Sequence, residues 1–251
     1  LIYLKTKEEI KIMNKANKIV LKVLDELESN LKEGITTKEL DNIAENVTEK
    51  EGAVPAFKNY YGYPASVCIS INDGVVHGIP SDKVMVTEGD VVSLDYGVQF
   101  KGYYGDAART CIVGDGSEID QKLIKVTKES LNIGIERAQV GLKVSDISKA
   151  IESYVVSNGF SVVKDYVGHG IGKSLHEEPQ VPNYYLRGHD YILKSGMVIA
   201  IEPMVNEGTS DVTVEKDGWT VRTKDGKNSA HFEYSVAIAE DGPIILGVAE
   251  I

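Results

Sequence analysis

The chain has 251 residues, 42% of them hydrophobic and 26% charged, with a formal net charge of −11. That composition suits one large domain or two small ones with a real core. No apolar run approaches the ~18–20 residues that cross a bilayer, and the acidic balance argues against a nucleic-acid binder. Cys68 and Cys111 are too few for a disulfide framework or a cysteine metal site. The opening residues run straight into a charged amphipathic pattern with no signal-peptide core, so the expected compartment is the cytoplasm.

Thr6-x-x-Glu9 has the form of a capping box, and Ile10, Met13, Val20, Leu24, Leu27 and Leu31 follow it at helical spacing. Thr36-x-x-Glu39 opens a second helix with Leu40, Ile43, Ala44 and Val47 on one face. Strand-like runs follow at 66–71, 91–99 and 109–113. Residues 114–116 read as a joint. Beyond it the order returns: helices over 120–138 and 145–158, then strands at 197–205, 219–223 and 231–239.

The return is a repeat. Gly34, Gly52 and Gly89 recur as Gly141, Gly159 and Gly196 at a constant offset of 107. Gly89 is followed by an apolar strand and Asp95; Gly196 is followed by an apolar strand and Glu202. The expected architecture is therefore α+β: one domain over 1–251, built as a duplicated fold in which two pairs of helices cover a curved antiparallel sheet. Its pseudo-symmetric halves span about 6–113 and 117–251, with a shared cleft between them.

Acids are poor strand residues, so those inside strands need a reason. Asp95 ends an apolar run, and a turn at Lys101-Gly102 makes Asp106 its diagonal neighbour, about 7–8 Å away on one sheet face. Glu202 repeats the Asp95 position, and Glu233 lies within another strand-like run. Converging carboxylates repel unless a cation neutralises them, which points to a pair of divalent metals. Of five histidines, His169 sits among glycines that allow close approach to a metal, His176 follows seven residues later in His176-Glu-Glu-Pro179, and His77 lies within 72–80. His189 reads as loop surface, and His231 would share a strand face with Glu233 and so could line the site. The His176-Glu177 pair lacks the second histidine of a zinc-protease helix, and no phosphate loop or nucleophile elbow occurs.

In that order, Asp95, Asp106, His169, Glu202 and Glu233 resemble the five-ligand signature of the pita-bread metallopeptidases, subfamily A of family M24. The flanks resemble methionine aminopeptidases in particular, across essentially the whole chain: the segments starting at Tyr63, Val76, Gly168, His176, Ile201 and Asp217 all match. The short type I bacterial form fits best, because there is no room before Thr6 for the extra domain of proline-specific relatives, and 169–202 holds no type II insertion. That resemblance implies two divalent ions (Co, Mn, Fe or Zn), with Asp106 and Glu233 bridging, Asp95 on one side and His169 and Glu202 on the other. It further implies Glu202 as proton shuttle, His176 as donor to the oxyanion and His77 beside the scissile amide. By the same resemblance Tyr60, Tyr63, Cys68 and Trp219 line a methionine pocket with Phe57 and Leu175 at its rim, and carbonyls near Asn72, Gly74 and Ser229 hold a sodium or potassium ion. The implied activity is removal of N-terminal methionine from peptides and nascent chains, preferentially before a small second residue. The implied state is a monomer, with no membrane or stable nucleic-acid partner and at most transient ribosome contact. Two rival readings are an X-Pro aminopeptidase of the same fold and a non-catalytic binding module.

Overall fold

A computed structural model describes residues 1–188 and 190–251; His189, expected on a loop surface, lies outside the described residues. Among the described residues the two expected pairs of α-helices are α1 (Lys7–Asn30) with α2 (Thr37–Lys50), and α3 (Glu118–Glu136) with α4 (Val144–Ser157). Both expected capping boxes form. Thr6 and Thr36 accept the amides of Glu9 and Glu39, whose carboxylates return to the cap amides at 2.8 Å. The apolar stripe of α1 is buried at Ile10, Met13, Val20, Leu24 and Leu27, whereas Leu31, expected to continue it, is the C-cap beyond the helix and is half-buried.

The strands in chain order are β1 (Val54–Pro55), β2 (Cys68–Ile71), β3 (Gly74–Val76), β4 (Val91–Phe100), β5 (Tyr103–Ile112), β6 (Ser161–Val162), β7 (Gly168–Gly170) and β8 (Glu177–Val181). They continue with β9 (Val198–Ile201), β10 (Met204–Asn206), β11 (Val212–Val214), β12 (Val221–Thr223), β13 (Ser229–His231), β14 (Glu233–Ala239) and β15 (Gly242–Ile245). Nine of them make one antiparallel sheet in the order β1-β4-β5-β14-β9-β7-β8, with β2 on β4 and β15 on β14. The β5–β14 pairing joins the early strands to the late ones. Two hydrophobic clusters lie beneath the helices. One packs Val20, Leu24, Leu27 and Leu40 against Leu94, Tyr96 and Val98; the other packs Leu123, Ile147 and Ile151 against Ile199, Val236 and Ile238. Each such side chain contributes about 1.5–3 kcal/mol by leaving water, so Leu24→Ala should cost about 2–5 kcal/mol.

The repeat has structural counterparts. Gly34 and Gly141 share a left-handed backbone at φ 87 and 88°, as do Gly89 and Gly196 at 85 and 90°. Isolated bridges Thr36–Met85 and Lys143–Ile192 recur at the same offset of 107 residues.

The expected 66–71 and 219–223 strands begin two residues late, at Cys68 and Val221, and three others differ more in extent. The 109–113 run belongs to a longer strand, because the Lys101-Gly102 turn pairs all of β4 with β5. The 197–205 run breaks into β9 and β10 around Glu202-Pro203, where proline has no amide to give a ladder. The 231–239 run breaks at Phe232, and its pieces pair with different partners: β13 with β10, and β14 with β5, β9 and β15. His231 and Glu233 therefore do not share a strand.

Candidate metal centre and substrate pocket

The β4–β5 hairpin sets the first two acids. Lys101 and Gly102 both adopt positive φ, 50 and 81°, as a two-residue turn of matching twist requires. The register places Asp95 opposite Ala108 and Asp106 opposite Gly97, which is the diagonal arrangement expected from the sequence. Glu233 pairs with Ala108 from the other side, so Asp95, Ala108 and Glu233 form one row across three strands. Asp106 lies two positions along β5, on the same face. Glu202 follows the end of β9, where Ile201 pairs with Tyr234.

His169 enters from β7, which is squeezed between β8 and β9. A Cβ on Gly168 or Gly170 would meet backbone oxygens of Ala200 or Glu178 at 2.3 and 2.2 Å, so the flanking glycines permit the close packing. The His169 Nδ1 lies 2.9 Å from the Gly170 carbonyl oxygen, to which it can only donate. That fixes the tautomer and leaves Nε2 free, 3.5 Å from Glu202 Oε1.

Burial governs the charge states. It pushes Asp95 up to about 7 and Glu202 up to about 8. Asp106 and Glu233, 3% and 2% exposed, are driven well above the usual carboxylate range by burial and then by the neighbouring acids. The same burial lowers His169 to about 3 and His77 to about 4. Asp95 Oδ1, Asp106 Oδ1 and Glu233 Oε1 are buried without any hydrogen-bond partner.

Beside the acids opens a cavity of about 270 Å³, and its walls include Phe57, Tyr60, Tyr63, Cys68, Leu175 and Trp219 together with His77 and His176. Cys68 reaches it because β2 pairs Cys68 with Asp95. Tyr63 packs edge-on to Trp219 at 5.2 Å and donates its hydroxyl to the carbonyls of Gly78 and Val67 at 2.9 and 3.1 Å. These bonds pin the turn on which His77 adopts a left-handed φ of 60°, a strained state for a non-glycine residue. His176, exposed at the cavity mouth, has its Nδ1 2.8 Å from the Tyr60 hydroxyl. Phe57 and Leu175, expected at the rim, are 9% and 1% exposed and form the wall itself.

One residue joins the site without warning from the sequence, and His231 reaches it by a route other than the strand face expected. Tyr61 lines the cavity from a positive-φ turn between Asn59 and Gly62. His231, fully buried, brings Nε2 to 3.6 Å from Glu202 Oε2 although it lies on another strand. Asn72, Gly74 and Ser229 are also neighbours: the Ser229 amide donates to the Asn72 carbonyl at 2.9 Å, and Gly74 begins the adjacent β3.

The chain matches the model of metallopeptidase family M24 over residues 11–240. Its sequence is 51% identical to the methionine aminopeptidase of Clostridium acetobutylicum over 250 residues, covering 100% of both chains. The chain belongs to the methionine aminopeptidases of metallopeptidase family M24. The crystal structure of the Thermotoga maritima methionine aminopeptidase superposes with a TM-score of 0.96 at 44% identity, covering 98% of this chain and 99% of that one. A prolidase from Pyrococcus furiosus shares the pita-bread fold less closely, with a TM-score of 0.77 at 27% identity, and the match covers 99% of this chain but 66% of the prolidase.

Membership of a metallopeptidase family implies divalent metal, and the residues fit one. Ligand atoms of Asp106, His169 and Glu233 lie within 4.8 Å of one another, as do those of Glu202, His231 and Glu233. The three buried carboxylate oxygens without partners face an uncompensated desolvation cost that a divalent cation would remove. A donor set of hard oxygens with imidazole suits first-row divalent ions.

Proposed function

We propose that this methionine aminopeptidase family member removes the N-terminal methionine from peptides and nascent chains, preferentially before a small second residue. The site would hold two divalent ions (Co, Mn, Fe or Zn) through Asp95, Asp106, His169, Glu202 and Glu233. The observation that carries the reading is the row Asp95–Ala108–Glu233 with Asp106 beside it, whose inward oxygens have no protein partner. Asp106 and Glu233 are the most buried of the four acids and fit the bridging role.

Bound divalent ions supply an activated water and a Lewis acid for the scissile carbonyl. The chain's own groups do the rest. Glu202, at the edge of the acid cluster with Oε1 3.5 Å from His169 Nε2, would take a proton from the attacking water and pass it to the leaving amine. His176, held through Nδ1 by Tyr60, has Nε2 free to donate to the developing oxyanion. His77 sits beside the scissile amide, its burial keeping the ring neutral. Tyr60, Tyr63, Cys68 and Trp219, with Phe57 and Leu175, enclose the methionine side chain, and aromatic edges suit a flexible thioether. The rest of the peptide would follow an adjoining cleft of about 520 Å³ past Tyr166, Glu178 and Met204.

Turnover of Met-Ala-Ser, Leu-Ala-Ser and Ala-Pro-Ser by the metal-loaded protein tests this reading. The first should be cleaved well and the others poorly, since the pocket must discriminate at the branch point of leucine. A preference for Ala-Pro-Ser would replace the methionine assignment with the X-Pro one. Cleavage of none, with metal bound, would favour a binding module.

A further inference from the structure

His176 sits on an irregular segment between β7 and β8, exposed at the cavity mouth, with no ladder of its own to fix it. Its neighbour Glu177 supplies the anchor. Glu177 Oε1 accepts the backbone amides of Lys173 and Ser174 at 2.8 and 3.2 Å, closing the turn that precedes His176. Glu177 Oε2 accepts the Nζ of Lys5 at 2.6 Å, from a residue 172 positions away. The two side chains are 6% and 9% exposed.

Lys5 is itself held. Its amide donates to the Gly196 carbonyl at 2.6 Å, and its Nζ also donates to the Tyr3 carbonyl at 3.1 Å. Two glycines make room for this strap. A Cβ on Gly172 would meet Lys5 Cε at 2.5 Å and Glu177 Oε1 at 2.7 Å, and one on Gly196 would meet the Lys5 carbonyl at 2.9 Å. The segment entering α1 thus crosses to the His176 turn and ends there in a buried ion pair.

A buried ion pair is a weak source of net stability, because desolvating both charges offsets their attraction. Its effect lies in geometry. We infer that Lys5 and Glu177 are positioning residues for His176, fixing the turn so that the imidazole meets the substrate carbonyl. Lys5 touches neither the pocket nor the adjoining cleft, so it acts only through Glu177 and the turn.

This inference rests on the reading of His176 as an oxyanion donor, and the experiment separates the two. Lys5→Met keeps the length of the side chain and removes its charge. Displacing a catalytic group by about 1 Å can cost on the order of 10²-fold, so kcat on Met-Ala-Ser should fall roughly 10–100-fold. KM and metal affinity should stay within about twofold of the starting enzyme, and Lys5→Arg should restore most of the loss. Added to His176→Ala, Lys5→Met should lower kcat no further, because the group it positions is already gone. Should Lys5→Met fold poorly, Lys5→Met/Glu177→Gln replaces both charges while leaving an amide oxygen for Lys173 and Ser174, and the same kcat loss is expected. Unchanged kcat in these variants, or parallel loss of kcat, KM and metal affinity, overturns the positioning role. Full turnover by His176→Ala would instead overturn the donor reading on which it rests.

Discussion

Phe57 occupies space that Gly97 leaves open: a methyl group at Gly97 would come within 2.7 Å of Phe57 Cε1. The same glycine stands opposite Asp106 in the hairpin register. One position of β4 without a side chain therefore lets an aromatic wall approach the acid cluster.

Gly97→Ala should push the Phe57 ring into the pocket. Overpacking of this kind costs about 1–3 kcal/mol of folding stability, and the displaced ring, by narrowing the pocket, should separately raise KM for Met-Ala-Ser roughly tenfold, as about 1.4 kcal/mol of lost binding would. Metal affinity should not change, because Asp106 keeps its backbone register. Steady-state kinetics with metal calorimetry check both halves, and Gly97→Ala/Phe57→Ala should recover the lost binding. An unaltered KM would show that the ring is not held by this contact.

Burial makes the metal-free protein sensitive to pH in a definite direction. Asp95 and Glu202 titrate at about 7 and about 8, above their ordinary 3.8 and 4.5, because burial penalises their charged forms. The folded state then binds more protons than the unfolded one, so this stability is full below pH ~4 and lost as pH rises through 7 to 8. His169 and His77, lowered by burial to about 3 and about 4 from 6.5, act oppositely, adding stability as pH rises towards 6.5. Between pH ~6.5 and 8 the carboxylates act alone. Thermal melts should show Tm falling across that window without metal and holding steady with saturating Mn²⁺. A rising metal-free Tm there would contradict the assigned charge states.

His176 and His169 should separate by what they lose. His176→Ala should keep metal affinity and lose about 10²–10³ in kcat, the usual cost of one oxyanion donor. His169→Ala should lose metal affinity, since its tautomer directs Nε2 at the acid cluster. Calorimetry showing equal metal loss in both would undo the distinction.

Much of the site was legible because it depends on local rules. The Lys101-Gly102 turn sets the register that brings Asp106 beside Asp95, and the repeat at Gly196 marks Glu202 as the counterpart of Asp95. The four helices follow from their periodicity, and two of them from capping boxes written in the sequence. What was not legible depends on distant pairing. The run around Phe232 looks like one strand, yet its pieces join different sheets, and only the β13–β10 pairing carries His231 to Glu202. Tyr61 reaches the pocket through a left-handed turn that no spacing announces. The Lys5–Glu177 pair spans 172 positions, and neither residue stands out locally from its charged neighbours.

If the buried acids hold the metal that the proposed cleavage needs, hydrolysis of Met-Ala-Ser must depend on metal. Protein stripped by a chelator should be inactive, and titration with Mn²⁺, Fe²⁺ or Co²⁺ should restore turnover as calorimetry registers binding of about two ions per chain. Glu233→Ala or Asp106→Ala should weaken both binding events together. Full turnover by protein shown to contain no metal would rule out that role for the acids.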